Sequence, residues 1–270
     1  MTKFAALTIA ALVSGLGALP ASAQLYVGIE TGSAQPMRVS DLSGFPDVSW
    51  SNFHAIEVSG AAATPDGTLY VCNGAFSTDL YQILPGEQPE YLCRIDKDMS
   101  ALAFGRGTLY GYSNYADPKG IYEIDPATGA TTLVVDVYTG TSFRFFALDY
   151  NPADDLLYGY TEYGDSGLYS INIDTGEMLK VSEPFSASNT QGRGLAVGNN
   201  TVYVTATRGD DGIPFFAYDL SQGSNGSWVG FENAYPASHS TGGAAWIGTP
   251  CPPDVNGDGV VDTQDFPNSL

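Results

Sequence analysis

Apolar and polar positions alternate along this chain in short bursts, and the bursts recur. Ser100 to Val135 shows the unit most clearly, with apolar runs at Ala101 to Phe104, Thr108 to Tyr112, Ile121 to Ile124 and Thr131 to Val135. Between them stand Gly105 and Gly107, a polar loop holding Pro118 and Gly120, and the turn Asp125-Pro126-Ala127-Thr128-Gly129. Aromatic and β-branched residues in short runs suit a pleated, half-buried surface, while Gly, Asp and Pro supply the turn dihedrals. The pattern predicts four short strands in an up-and-down sheet.

The unit returns at a period of roughly 40 to 50 residues, which points to a propeller or a related array. Its second strand appears as Thr68-Leu69-Tyr70, Thr108-Leu109-Tyr110, Leu156-Leu157-Tyr158 and Thr201-Val202-Tyr203. Its third strand and turn appear as Leu80-Tyr81 to Pro85-Gly86, Ile121-Tyr122 to Thr128-Gly129, Leu168-Tyr169 to Thr175-Gly176, and Phe216 to Gly223. A tyrosine suits such a face because its ring is buried while its hydroxyl still reaches a partner. The expected fold is all-β, a β-propeller of four-stranded blades over residues 24–248.

Leu25 to Gly32 aligns with the third strand and turn of the repeat, Met37 to Val39 with the fourth, and Gly243 to Gly248 with the inner strand. If the two ends share a blade, the ring closes and the exposed sheet edges disappear. The expected count is five blades, or six if Asp41 to Phe53 adds strands. Small residues that open the inner strands (Gly60, Ala61, Ala101, Gly194, Gly243, Ala244) fit the crowded centre of a ring.

Loops on a rigid scaffold carry function more often than its core does. The loops leading into the inner strands hold His54 and Glu57, Lys97 and Asp98, Arg144, Arg193 and His239. His54, Arg144, Arg193 and His239 are the candidate ligand-binding residues: the arginines as donors to an anionic or hydroxylated ligand, a histidine as acid or base. No G-x-S-x-G or H-E-x-x-H motif is present, and Gly192-Arg193-Gly194 opens a strand, not a phosphate-binding helix. No catalytic residue is assigned.

With 10 Lys and Arg against 30 Asp and Glu, the net charge is -20, which opposes nucleic acid and anionic membrane surfaces as partners. Residues 1–23 read as a secretory signal, with Lys3, an apolar run from Phe4 to Leu19 and an Ala21-Ser22-Ala23 cleavage site. No later stretch is long and apolar enough to span a membrane. The expectation is a protein secreted or held at the cell surface. Its three cysteines, Cys72, Cys93 and Cys251, have no metal-binding spacing. Cys72 and Cys93 are placed in the second and fourth strands of one blade, where a direct bridge would need a strand edge to bend; the alternative is that each is a small apolar filler.

A Pro-rich linker, residues 249–253, precedes a segment of different grammar. In Asp254 to Asp265, oxygen side chains stand at loop positions 1, 3, 5, 9 and 12, and Gly259 holds position 6. That spacing predicts an EF-hand-like calcium loop formed by Asp254, Asn256, Asp258, the Val260 carbonyl, Asp262 and Asp265. Residues 254–270 resemble a dockerin-type calcium repeat, and Cys251 to Phe266 is similar to the tail of GC-type dockerin-anchored exported bacterial proteins. The resemblance implies calcium as cofactor and an anchoring or cohesin-like protein as partner. One repeat is present here, and Pro267 stands where the family continues as helix. The body is similar, more loosely, to secreted propellers with an LY-x-I-D-x-x-TG signature.

A propeller hosts binders and enzymes alike, so the fold alone assigns no reaction. The leading expectation is a secreted, non-catalytic propeller that binds an unidentified ligand or protein through one face and is anchored by its calcium segment. The alternatives are a propeller hydrolase, acting on lactones or polysaccharides through the His and Arg residues, and a structural protein of the cell envelope.

Overall fold

The structure, a computed structural model, describes residues 24–29, 34–38, 56–73, 78–85, 87–137, 144–162, 164–185, 191–198, 200–207, 215–231 and 241–247. Strands β1 (Gln24–Ile29) and β2 (Ala34–Arg38) come first. The first blade follows, with β3 (Gly60–Ala63), β4 (Leu69–Cys72), β5 (Asp79–Ile83) and β6 (Glu90–Arg94). The second comprises β7 (Ala101–Gly105), β8 (Thr108–Ser113), β9 (Gly120–Ile124) and β10 (Thr131–Asp136), the strands expected from Ser100 to Val135. The third is β11 (Phe145–Asn151), β12 (Leu156–Thr161), β13 (Gly167–Ile171) and β14 (Met178–Ser182). The fourth is β15 (Gln191–Gly198), β16 (Thr201–Thr207), β17 (Phe215–Asp219) and β18 (Val229–Phe231), with a 3-10 turn at Leu220–Asn225. Last comes β19 (Thr241–Ile247).

Each blade is an antiparallel sheet whose strands follow sequence order, and β19, β1 and β2 make a further, three-stranded sheet. The expected five four-stranded blades, or six, are corrected to four, with the three-stranded sheet as a seam between the two ends of the chain. The register explains the difference. Leu25-Tyr26-Val27, expected as a third strand, pairs directly with the inner strand β19, placing Leu25 opposite Trp246 and Tyr26 opposite Ala245. Leu69 and Tyr70 face Ala63 and Ala62 of β3 in the same way. The Leu-Tyr-Val triplet is therefore a second strand, and β1 takes that place beside β19. Asp41 to Phe53 lies outside the described residues.

The five inner strands touch in a closed cycle, β3 to β7 to β11 to β15 to β19 and back to β3. Apolar clusters fill the spaces between successive sheets. Tyr112, Ile121 and Val135 of the second blade meet Phe145, Leu157 and Ile171 of the third. Tyr160 and Leu168 of the third meet Leu195, Val204 and Tyr218 of the fourth. At the seam, Tyr26 and Ala245 pack on Val58, Val71 and Ile83 of the first. Two third-strand tyrosine hydroxyls find partners at the loops: Tyr169 donates to the Asp165 carbonyl at 2.7 Å and Tyr218 to the Gly223 carbonyl at 2.6 Å.

Cys72 and Cys93 are both free and buried, pairing with Leu80 from opposite sides. Two strand spacings of about 4.8 Å separate them, too far for a disulfide. No helix among the described residues is long and apolar enough to cross a membrane.

The leading rim, where the inner strands begin, is closed by backbone. A methyl group on Gly194 would lie 2.8 Å from the Ala244 nitrogen, one on Gly243 2.7 Å from the Ala61 nitrogen, and one on Gly60 2.9 Å from the Leu102 nitrogen. Backbone atoms cannot step aside as a flexible side chain can, so these sites exclude even alanine. Gly194→Ala and Gly243→Ala are each expected to cost about 1–3 kcal/mol as overpacking. Leu179→Ala, at a side chain 57% exposed on an outer strand, should change stability by less than about 0.5 kcal/mol. Urea unfolding of the three variants checks the contrast.

Candidate functional site at the trailing rim

The inner strands converge where they begin and separate where they end. Strand pairing defines five equivalent positions at that trailing rim, because each faces a second-strand residue in the same register. Ala63 faces Leu69, Phe104 faces Leu109, Tyr150 faces Leu157, Val197 faces Val202 and Trp246 faces Leu25. All five line a cavity of about 860 Å³. Three of the five are aromatic. Tyr150 lies over Gly105 and Trp246 over Gly198, in each case a glycine of the preceding inner strand whose missing side chain leaves room for the ring.

One residue earlier, the inner strands face the second-strand tyrosines. Ala62, Ala103, Ala196 and Ala245 hold that position in four strands, and Asp149 holds it in the fifth, opposite Tyr158. Asp149 also lines the cavity and is 6% exposed. Its Oδ2 accepts from the Val197 amide at 2.7 Å, across to the next blade, and its Oδ1 accepts from the Tyr150 amide at 2.9 Å. Those donors favour the ionised form, but burial outweighs them and pushes the carboxyl up to about 7.

Arg106 and Asn200, also on the cavity wall, have left-handed backbones with φ of 51° and 60°. Asparagine tolerates that region; for arginine it is strained, and the side chain shows what holds it. Arg106 Nε donates to Asp155 Oδ1 at 2.7 Å, and its Nη1 and Nη2 donate to Asp174 at 2.8 and 3.0 Å. Asp155 also accepts from Arg106 Nη2 and from the Tyr150 hydroxyl. These bonds tie the second blade to the third and hold Asp155 down to about 2, chiefly through the hydrogen bonds from Arg106. The guanidinium is committed to two carboxylates, and among the described residues on the cavity wall no other side chain is basic.

Of the residues expected from sequence to bind ligand, Arg144 and Arg193 are described, and both sit at the leading rim, Arg144 immediately before β11 and Arg193 within the neighbouring β15. The Arg193 guanidinium lies 4.9 Å from the centre of the Phe146 ring. Glu162, not anticipated, joins it there: it accepts from the Gly192 amide, and burial pushes its carboxyl up to about 7 against that bond and the charge of Arg193. His54 and His239 lie outside the described residues, as do the leader, the linker, Cys251 and every expected calcium ligand: Asp254, Asn256, Asp258, Val260, Asp262 and Asp265. Among the described residues no group of three or more His, Cys, Asp or Glu side chains is placed to hold a metal.

The chain matches one from the crystal structure of a nidogen/laminin complex with a TM-score of 0.58 at 13% identity, covering 85% of this chain and 100% of that one. A structural genomics protein of unknown function from Bacteroides thetaiotaomicron VPI-5482 gives a TM-score of 0.56 at 15% identity, covering 83% of this chain and 64% of that one. The shared fold is the β-propeller. The chain thus spans a little under two thirds of the Bacteroides protein. No family model and no curated relative matches it. At these identities the likeness extends to the propeller fold and stops there.

The electrostatics of Asp149 set a pH signature. The folded propeller keeps this proton to about pH 7, whereas the unfolded chain releases it near 4, so folding takes up a proton between those values. The group's contribution to stability is full below that window and declines as pH rises through it, by at most about 1.4 kcal/mol per pH unit. Relative to Asp149→Asn, the wild-type chain should lose roughly 2–4 kcal/mol of unfolding free energy between about pH 4 and 7. Urea unfolding across that range measures the difference; a flat one would mean that the carboxyl titrates normally.

Proposed function

We propose that this is an exported, non-catalytic binding propeller whose ligand enters the cavity at the trailing rim, with residues 254–270 serving as a calcium-dependent anchor to a cohesin-like or other anchoring protein. The observation that carries the reading is the ring of five equivalent positions, three of them aromatic, on a cavity wall that also holds one buried carboxyl. A cavity of about 860 Å³ falls within the usual range for small-ligand sites, with an apolar lining and a few placed polar groups. The fold likeness to a chain from a nidogen/laminin complex is in keeping with a propeller used for binding. The anchor rests on the loop spacing of Asp254 to Asp265.

Saturation-transfer NMR of residues 24–270 with a mixed library of hydroxylated and amine-bearing fragments tests the cavity. Signals that disappear in Trp246→Ala are expected; a set of binders indifferent to that change would contradict the site. For the anchor, calorimetric titration with calcium should show one site that is lost in Asp254→Ala while the unfolding midpoint of the propeller is unchanged. No calcium heat from the intact chain would count against the anchor.

A further inference from the structure

Five inner strands build the trailing rim from equivalent positions, and the chemistry at one of them differs in kind. At the position facing the second-strand tyrosine, four strands satisfy the packing with alanine; the fifth places a carboxyl there, with no basic partner among the hydrogen bonds it makes. Packing does not require Asp149, and burying it is costly unless something compensates. The same cavity wall carries Phe104, Tyr150 and Trp246. Aromatic faces carry negative quadrupole potential and attract a cation, most strongly when water is excluded.

Asp149 and Arg106 are the charged residues among those described on the cavity wall. Arg106 is spent on Asp155 and Asp174, so that trio carries a net negative charge at neutral pH. A chain with a net charge of -20 also draws cations toward any opening. An ionised Asp149 would repel an anion entering here, and a neutral ligand would leave that carboxyl without a counter-charge.

We propose that the cavity is a receptor site for a small organic cation, an alkylammonium group seated among Phe104, Tyr150 and Trp246 with Asp149 as its counter-ion. The inference rests on the reading of the cavity as the ligand site and adds the ligand's class. A cation beside Asp149 favours its ionised form, so near neutral pH binding displaces a proton from the carboxyl to solvent, and affinity falls as acid restores that proton. A purely structural Asp149, bridging β11 to the Val197 amide, would show neither effect.

The test is calorimetry of residues 24–270 with choline and with its uncharged carbon isostere, 3,3-dimethylbutan-1-ol, at about pH 7 in two buffers of different ionisation enthalpy. Choline is expected to bind at least about tenfold more tightly than the alcohol, to release part of a proton, and to weaken steadily between about pH 7.5 and 5.5. Asp149→Asn should abolish both the preference and the release; the proton count on the wild-type chain decides the matter even if that variant folds poorly. Equal binding of choline and the alcohol would overturn the cation while leaving the cavity as the ligand site. Failure of choline to bind, with the Trp246-dependent fragment signals intact, would overturn the cation alone. Loss of those signals as well would remove both readings.

Discussion

The structure depends on pairing between its two ends. An open row of small antiparallel sheets would expose inner-strand edges and an apolar face at each end, inviting other chains to pair with it. Here β19, from the end of the described chain, hydrogen-bonds to β1, from its beginning, and Tyr26 of β1 is buried among Val58, Val71 and Ile83. The contact is non-local in the extreme, so its loop-closure entropy is met late, once the four blades can offer their faces. Leu25 and Val27, fully buried, show how much of the seam's apolar surface depends on it.

Closure also fixes the two rims. At the leading rim Gly60, Gly194 and Gly243 let neighbouring backbones approach within distances that a methyl group would obstruct. Polar contacts reinforce it: Asn114 Nδ2 donates to Ser100 Oγ at 3.1 Å, and Ser100 Oγ to the Phe145 carbonyl at 3.0 Å, joining the second blade to the third. Strands that converge at one end and twist must part at the other. The cavity at the trailing rim follows from that divergence, and each inner strand gives its wall one equivalent residue, with Asp149, Arg106 and Asn200 beside them. Closure, convergence and cavity are thus successive consequences of one pairing.

The fold was legible because its signals were local and repeated. Turn residues at Gly105, Gly107 and Asp125 to Gly129 bounded runs that did become β7 to β10. The place of β1 was misread because Leu25-Tyr26-Val27 followed by Gly28 fits the third-strand pattern as well as the second, and only its pairing with β19 decides between them. The trailing-rim cavity is harder to read from the sequence, for a related reason. Charged residues around the starts of the inner strands, such as Arg144 and Arg193, are conspicuous in the sequence. Asp149 lies inside a strand, and its meaning appears only when the five inner strands are set in register against Tyr26, Tyr70, Tyr110, Tyr158 and Tyr203, which shows one carboxyl among four alanines. That signal was in the sequence; reading it required the register.

Native-state hydrogen exchange resolved by residue tests the seam most directly. If the ring stands or falls with the pairing of β1 and β19, the amides of Leu25 to Val27 should exchange only through global unfolding, with the same free energy of opening as Leu102 in β7 and Leu148 in β11. Rapid exchange at Leu25 to Val27, with Leu102 and Leu148 still fully protected, would show that the four blades hold together without the seam and would contradict the account.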